Sequence, residues 1–184
     1  EIVEDALAEE ITEENGQITV KTSNGSFTGS HLLMAVGRKV NIDKLDLDKG
    51  NVAHDRAVKV DASLRSTSNK KVYAIGDAAG GLQFTHVAGY HAGVIIRSML
   101  LGLPSKAKTD HIPWVTYTDP ELAQVGLTEE QAIKKYGKMN VTVARFDYDE
   151  NDRAIAGGKT TGFIKVMVVK GRPIGATIVG DSAG

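Results

Sequence analysis

The chain has 184 residues, of which 41% are hydrophobic and 24% charged, and its formal net charge is −1. This balance predicts one medium or two small globular domains and offers no electrostatic attraction for nucleic acid or an anionic membrane surface. The sequence contains no cysteine, which excludes disulfides, thiolate metal sites and a cysteine nucleophile within these residues. No apolar run reaches the roughly 18 residues that a transmembrane helix needs, and we expect a cytoplasmic protein with no membrane or nucleic-acid partner.

Residues 1–41 begin with a pattern of short strands and strong turns. The dipeptides Asn15-Gly16 and Asn24-Gly25 are those preferred in two-residue hairpin loops, because both central positions favour positive φ. Residues 18–22, which lie between them, alternate and are rich in β-formers. We therefore expect a small antiparallel meander.

The run from His31 to Arg38 predicts a buried strand that ends in Gly37-Arg38. Glycine lets a backbone approach a ligand closely, and arginine can pair with phosphate or carboxylate. The alternative interpretation is a strand end with a surface arginine. We expect His31 to pack or to face solvent and not to bind a metal, since no partner ligand stands nearby.

Residues 72–75 form an apolar run with β-branched and aromatic members, which predicts a strand covered on both faces. The pair Gly76-Asp77 follows, where such a strand would end. In open α/β sheets the ligand crevice lies beyond the carboxyl ends of the strands. The carboxylate of Asp77 can accept two hydroxyl donors, which suits a sugar or ribityl chain. The alternative is that Asp77 only turns the chain or caps a helix.

A helix is predicted to follow, with Thr85 as its N-cap and Gly102 as its end. Its start carries about half a positive charge and unsatisfied N–H groups. The alternative is an ordinary capped helix with a half-exposed His86. Gly89 and Gly93 lie on one helical face and predict close packing against a neighbouring element.

Residues 108–184 predict an antiparallel sheet with a helix on one face. Thr128 and Gln131 have the spacing of a capping box for a helix that continues through Tyr136. The dipeptide Asp119-Pro120 predicts a turn that leads into a strand. Further strands are predicted at 141–146, 162–169 and 174–179, with a turn at 171–173, and the strand at 162–169 is expected to offer an edge for self-pairing if no neighbour covers it.

Three segments carry a family resemblance. Residues 72–81 (VYAIGDAAGG) resemble the second flavin-binding segment of the flavin-dependent pyridine nucleotide–disulfide oxidoreductases. Residues 35–41 are similar to a family segment near the bound dinucleotide, although Val40 replaces the usual proline. Residues 113–129 resemble the opening of the family's dimerisation domain. The three segments occur in the family's order.

The resemblance implies two cofactors, FAD and NAD(P). It places Gly76 and Asp77 at the ribityl part of FAD, and it places the helix start beside the pyrimidine side of the flavin, where it would stabilise the negative charge of the reduced ring. The implied cofactor-binding residues are Asp77, Gly76, Thr85 and His86 for FAD, and Ala35, Gly37 and Arg38 on the dinucleotide side. No catalytic or metal-binding residue is assigned, since neither the redox cysteines nor the family's late His-Glu pair is found in these residues.

The implied fold combines α/β and α+β parts. Residues 1–41 would end an NAD(P)-binding domain, and residues 42–107 would form the C-terminal part of a Rossmann-like FAD-binding domain. Residues 108–184 would form an α+β dimerisation domain, an antiparallel sheet with helices, through which a homodimer assembles. By this resemblance we expect a piece of a longer protein, truncated at both ends.

The implied activity is electron transfer between NAD(P)H and a small-molecule or protein-bound dithiol or disulfide through FAD. The motifs are most similar to those of dihydrolipoyl dehydrogenase and mercuric reductase, and we expect a dihydrolipoyl dehydrogenase-like enzyme. A mercuric reductase-like enzyme is one alternative, and an NADH oxidase on the same scaffold is another. By itself the chain is expected to be inactive, and a dimerisation module without cofactor is the alternative from a different class.

Overall fold

The computed structural model describes residues 2–184, which divide into two compact units, one ending at Lys39 and the other beginning at Val40. None of the helices in the described residues is long and apolar enough to cross a membrane.

The first unit is built on a three-stranded antiparallel sheet with the order β1-β2-β3. Its strands are β1 (Ala8–Glu14), β2 (Gln17–Thr22) and β3 (Gly25–Gly29). Asn15 and Gly16 connect the first two with φ values of 53° and 73°, the left-handed pair that a type I′ hairpin requires. The predicted meander is confirmed.

The second hairpin turns one residue earlier than the sequence predicts. Thr22 pairs with Gly25, so the loop is residues 23–24 and not Asn24-Gly25. The hydroxyl of Thr22 accepts the N–H of Asn24 at 3.1 Å and donates to the carbonyl of Gly25 at 2.9 Å. This side chain closes the loop, so the positive-φ pair is not needed.

Residues 31–38 do not form the predicted buried strand. They have no regular structure, and Leu33, Met34 and Val36 are 87%, 72% and 95% exposed. A strand covered on both faces needs partners for its hydrogen bonds and layers above and below it. The described residues of this unit provide a sheet of only three strands, and none of them pairs with this segment.

The second unit contains a five-stranded antiparallel sheet with the order β4-β5-β8-β7-β6. The predicted antiparallel sheet is confirmed, and the turn at residues 119–120 leads directly into β5, as expected. The strands are β4 (Trp114–Thr116), β5 (Glu121–Gly126), β6 (Thr142–Asp147), β7 (Phe163–Val169) and β8 (Arg172–Gly180).

The order of this sheet corrects two predictions. Strand β7 lies between β6 and β8, so it is not an edge, and the edges are β4 and β6. The turn between β7 and β8 is Lys170-Gly171, with φ values of 50° and 74°, and not residues 171–173. Proline at position 173 joins the strand without donating to the ladder.

Helix α2 (Glu129–Tyr136) packs against β7 and β8. The predicted capping box is confirmed: Oγ1 of Thr128 accepts the N–H of Gln131 at 3.3 Å, and Oε1 of Gln131 accepts the N–H of Thr128 at 3.1 Å. A short helix, α3 (Asp152–Gly157), was not predicted. It spans 6 residues, which is too few for a helical period to be read from the sequence.

Residues 72–75 do not form the predicted strand. Ala74 is buried in a small core with Val52 and Val58, but the only pairing of the segment is an isolated bridge between Arg65 and Tyr73. Ile75 is 39% exposed. The apolar run therefore packs one of its faces, because among the described residues no neighbouring strand offers it a ladder.

Helix α1 (Thr85–Met99) follows this segment. Its N-cap is Phe84, so Thr85 is the first helical residue and not the predicted cap. Gly89 and Gly93 are exposed, and a Cβ added at either would meet nothing within 4 Å. The close packing predicted from this glycine pair is not found among the described residues.

Candidate functional site

The candidate site centres on a 3-10 turn, Gly76–Ala79, that is packed against α1. Gly76 is buried and has a φ of 54°. A Cβ added at Gly76 would lie 2.8 Å from the Cβ of Ala88 in α1. Positive φ and this close approach both favour glycine. Because residue 76 is a glycine, the turn can pack directly on the helix.

The carboxylate of Asp77 is exposed on this turn. Its backbone carbonyl accepts the N–H of Gly80 at 2.9 Å, which closes the turn. Among the described residues, no hydrogen bond or ion pair involves the side chain of Asp77. The turn therefore presents an uncompensated acceptor to whatever lies outside it.

A buried histidine lies behind the turn. Nδ1 of His91 accepts the N–H of Gly76 at 3.0 Å, and the residue is 5% exposed. Burial lowers the pKa of His91 below its usual 6.5, because desolvation disfavours the imidazolium. The ring is neutral at physiological pH, and since Nδ1 is the acceptor, its proton is on Nε2.

The start of α1 is open to an acceptor. Its N-cap makes no side-chain hydrogen bond, and its first turn contains no acidic residue. Thr85 and His86 are exposed. The first N–H groups and the positive end of the helix dipole are therefore not neutralised by this chain's own side chains.

His86 also connects α1 to the segment that leads into β4. Its Nε2 lies 2.8 Å from the carbonyl oxygen of Pro113, to which it donates. Its ring stacks on Phe84, with 5.4 Å between centroids and an interplanar angle of 9°. These two contacts hold the imidazole beside the helix start.

The seven sequence-predicted residues fall in both units, four in the second and three in the first. Gly76, Asp77, Thr85 and His86 belong to the second unit. Ala35, Gly37 and Arg38 belong to the first, in the irregular exposed segment described above. Gly37 has a φ of 130°, and a Cβ added there would meet nothing within 4 Å, so its conformation, and not crowding, favours glycine.

Two residues of the site were missed by the sequence analysis. Neither His91 nor Ala88 is among the cofactor-binding residues that the resemblance implies. The signal for His91 was its position: it lies one turn after Val87 on the face that also holds Val94, and all three are buried. A histidine in a buried apolar stripe predicts a hydrogen-bond partner, because buried polar groups are rarely left unpaired.

The donor and acceptor set defines what this site can hold. It combines an exposed carboxylate with an open helix start, which complements a ligand that carries both hydroxyl donors and electronegative carbonyl oxygens. The residues present therefore fit the ribityl and pyrimidine parts of a flavin. Among the described residues no cluster of His, Cys, Asp or Glu could hold a metal ion.

Comparison with known families assigns the chain to a class. The family model described as "Pyridine nucleotide-disulphide oxidoreductase" matches residues 1–92. A second model, described as "Pyridine nucleotide-disulphide oxidoreductase, dimerisation domain", matches residues 112–184. The chain therefore belongs to the pyridine nucleotide-disulphide oxidoreductases.

Curated relatives agree with this assignment. Mercuric reductase of Lysinibacillus sphaericus is 36% identical over 183 residues, which cover 95% of this chain and 33% of that protein. Dihydrolipoyl dehydrogenase of Rhizobium etli is 38% identical over 174 residues, which cover 90% of this chain and 36% of that protein. The chain thus spans about a third of the length of these relatives.

Solved structures of the family have the same fold. The HOCl-induced flavoprotein disulfide reductase RclA from Escherichia coli matches 97% of this chain and 42% of its own, with a TM-score of 0.83 and 29% identity. LpdA from Mycobacterium tuberculosis matches 96% of this chain and 39% of its own, with a TM-score of 0.81 and 26% identity.

Proposed function

We propose that this chain forms part of an FAD-dependent enzyme that transfers electrons between NAD(P)H and a dithiol or disulfide, as a dihydrolipoyl dehydrogenase does. One observation carries the proposal: the exposed, unpaired carboxylate of Asp77 stands on a turn that is fixed against α1, close in sequence to the open start of that helix. The family assignment and the dihydrolipoyl dehydrogenase relatives support it.

In this proposal the chain's own residues bind and orient the flavin, which when bound supplies the two-electron chemistry. The carboxylate of Asp77 accepts hydroxyl protons of the ribityl chain through charge-assisted hydrogen bonds. The N–H groups at Thr85 and His86 face the pyrimidine side and stabilise negative charge there.

The remaining assignments belong to the same proposal. Ala35, Gly37 and Arg38 would approach the nicotinamide dinucleotide, the glycine through its backbone and the arginine through a phosphate. The domains are proposed to be 1–41 (NAD(P)), 42–107 (FAD) and 108–184 (dimerisation). A homodimer is proposed to form through residues 108–184, with support from the match to the dimerisation domain.

The flavin assignment is tested with Asp77→Asn in the full-length protein. A matched control is Asp149→Asn, because Asp149 is also an exposed acidic residue in the first turn of a 3-10 helix. We expect the dissociation constant of FAD, measured by fluorescence quenching, to rise about tenfold to more than a hundredfold for Asp77→Asn, which corresponds to about 1.5–3 kcal/mol. The control should bind like the parent, and equal affinity of all three proteins would reject Asp77 as a flavin ligand.

A mercuric reductase-like activity is the second candidate, since mercuric reductases of Lysinibacillus sphaericus and Staphylococcus aureus are 36% and 34% identical to the chain. The two candidate activities are distinguished by measuring NADH and NADPH oxidation by the full-length protein, with lipoamide and with Hg(II) as acceptors in parallel assays. Turnover of lipoamide alone supports the first candidate, and turnover of Hg(II) alone replaces it with the second.

A further inference from the structure

We propose that His91 is a positioning residue of the candidate flavin site: by accepting the N–H of Gly76 it holds the turn that presents Asp77. This inference rests on the proposed function, which assigns Asp77 to the flavin. His91 itself touches no cofactor in this proposal and acts only through the backbone of the turn.

The contact joins two elements that are far apart in sequence. Gly76 and His91 are 15 positions apart, and the N–H of Gly76 donates to Nδ1 at 3.0 Å. Gly76 is the first residue of its 3-10 turn, where an N–H has no partner within the turn. The imidazole therefore satisfies a group that the turn leaves open.

Burial makes this acceptor hard to replace. Gly76 is buried, and His91 lies between Val87 and Val94, which are 1% and 4% exposed. Without Nδ1 the N–H of Gly76 would remain in an apolar environment with no partner, which is costly. Loss of the acceptor should thus displace the turn.

The orientation of Asp77 depends on this turn. Its carboxylate has no partner among the described residues that could hold it independently. Gly76, directly before it, is restrained by two residues of α1, Ala88 and His91. These two contacts determine where the next residue points.

The hold depends on the protonation of the imidazole, because a protonated Nδ1 cannot accept a hydrogen bond. Tyr90, on the same helix, has its ring centroid 5.8 Å from that of His91; its hydroxyl accepts the N–H of Lys108, and His111 packs edge-on against it. The 3-10 turn contributes one charged group, Asp77, which is exposed. Burial alone lowers the pKa of His91.

The sign of the pH dependence follows from that lowered pKa. Any state in which the turn has moved away and the ring is hydrated has a pKa near the usual 6.5. The state in which His91 accepts the N–H of Gly76 has a lower pKa. Protonation of His91 therefore favours the state in which the turn has moved away. The hydrogen bond from Gly76 to His91 is fully present above pH 6.5 and is lost as the pH falls through the lowered pKa of His91.

Two substitutions in the full-length protein separate positioning from packing. His91→Asn keeps an acceptor, since Oδ1 can occupy the place of Nδ1, but does not titrate. His91→Leu has nearly the size of asparagine and has no acceptor. Both variants leave Asp77 and the start of α1 unchanged.

The first measurement is the dissociation constant of FAD between pH 5 and pH 8. At pH 8 we expect His91→Leu to weaken binding about tenfold or more, and His91→Asn to stay within about threefold of the parent. As the pH falls below about 6.5, the parent should lose affinity and His91→Asn should not. Equal losses in the two variants, or equal pH profiles of the parent and His91→Asn, would overturn the proposal.

The second measurement needs no flavin. Hydrogen exchange of the Gly76 amide in the cofactor-free protein should accelerate in His91→Leu and not in His91→Asn. If Asp77→Asn weakens FAD binding and the His91 variants do not, the inference fails and the proposed function stands. If Asp77→Asn has no effect while amide exchange responds as expected, the turn is held by His91 but the flavin assignment is wrong.

If His91→Leu does not fold, the comparison of the parent with His91→Asn still tests whether His91 holds the turn. A pH-dependent exchange rate at Gly76 in the parent that becomes independent of pH in His91→Asn supports the proposal. The same pH dependence in both proteins contradicts it.

Discussion

Nε2 of His86 donates a 2.8 Å hydrogen bond to the carbonyl oxygen of Pro113. The bond connects the start of α1 to the residue that precedes β4, and so connects the candidate flavin site to the five-stranded sheet. From the sequence, His86 was expected only at the helix start, as a residue that the resemblance places beside the flavin.

The first prediction concerns this bond. We expect His86→Leu to lower the free energy of unfolding by about 0.5–1.5 kcal/mol, the usual net value of one hydrogen bond. His86→Gln can still donate from Nε2 and should lose less. Urea denaturation of the three proteins checks the order, and identical midpoints would mean that the bond contributes nothing in solution.

The second prediction concerns the packing of the 3-10 turn. Gly76→Ala should lower the free energy of unfolding by about 2–5 kcal/mol, because a backbone cost of about 1–2 kcal/mol adds to overpacking of about 1–3 kcal/mol against Ala88. Gly81→Ala is the control, since Gly81 has a φ of 81° and open space around its Cβ. Guanidinium denaturation should show a smaller loss of unfolding free energy for the control. Equal losses would mean that overpacking against Ala88 does not contribute to the cost.

The third prediction concerns the capping box of α2. Thr128→Ala removes the side-chain acceptor for the N–H of Gln131, and we expect a loss of about 0.5–2 kcal/mol. Thr128→Ser retains the hydroxyl and should remain close to the parent. Thermal unfolding followed by circular dichroism measures both, and a serine variant as unstable as the alanine variant would point to the lost methyl group instead.

The fourth prediction concerns the ion pair that joins α2 to β7. Nζ of Lys165 lies 2.9 Å from Oε2 of Glu129, with side chains 24% and 41% exposed. A double-mutant cycle with Lys165→Met and Glu129→Gln should give a coupling of about 0.5–1 kcal/mol after solvent screening. The exposed pair of Lys49 and Asp46, at 2.8 Å, should give less. Coupling that survives unchanged in 1 M salt would contradict an electrostatic origin.

The fifth prediction concerns activity. The 184-residue chain contains no cysteine, so it has no thiol to exchange with a disulfide. We expect the purified chain to give no NAD(P)H-dependent reduction of lipoamide above the buffer rate. Turnover that co-purifies with the chain through two independent columns would show that its chemistry does not need a thiol.

The sequence by itself determined the class of the protein and most elements of the five-stranded sheet. Strands with alternating or continuous apolar residues, the capping box at Thr128 and the Asn15-Gly16 turn are local signals, and local backbone preference was enough to place them. Asp77 was singled out in the same way, because a small-residue turn after an apolar run is visible in one stretch of chain.

Only the tertiary structure decided the features that depend on contacts with another segment of the chain. Residues 31–38 and 72–75 were predicted to be strands. A strand exists only where another strand pairs with it, and the described residues offer these segments no such partner. The partnership of Gly76 with His91 spans a turn and a helix, and no local preference encodes it. Burial and hydrogen-bond pairing are properties of the assembled chain, so the carboxylate could be found from the sequence, while the group that holds its turn became visible only in the fold.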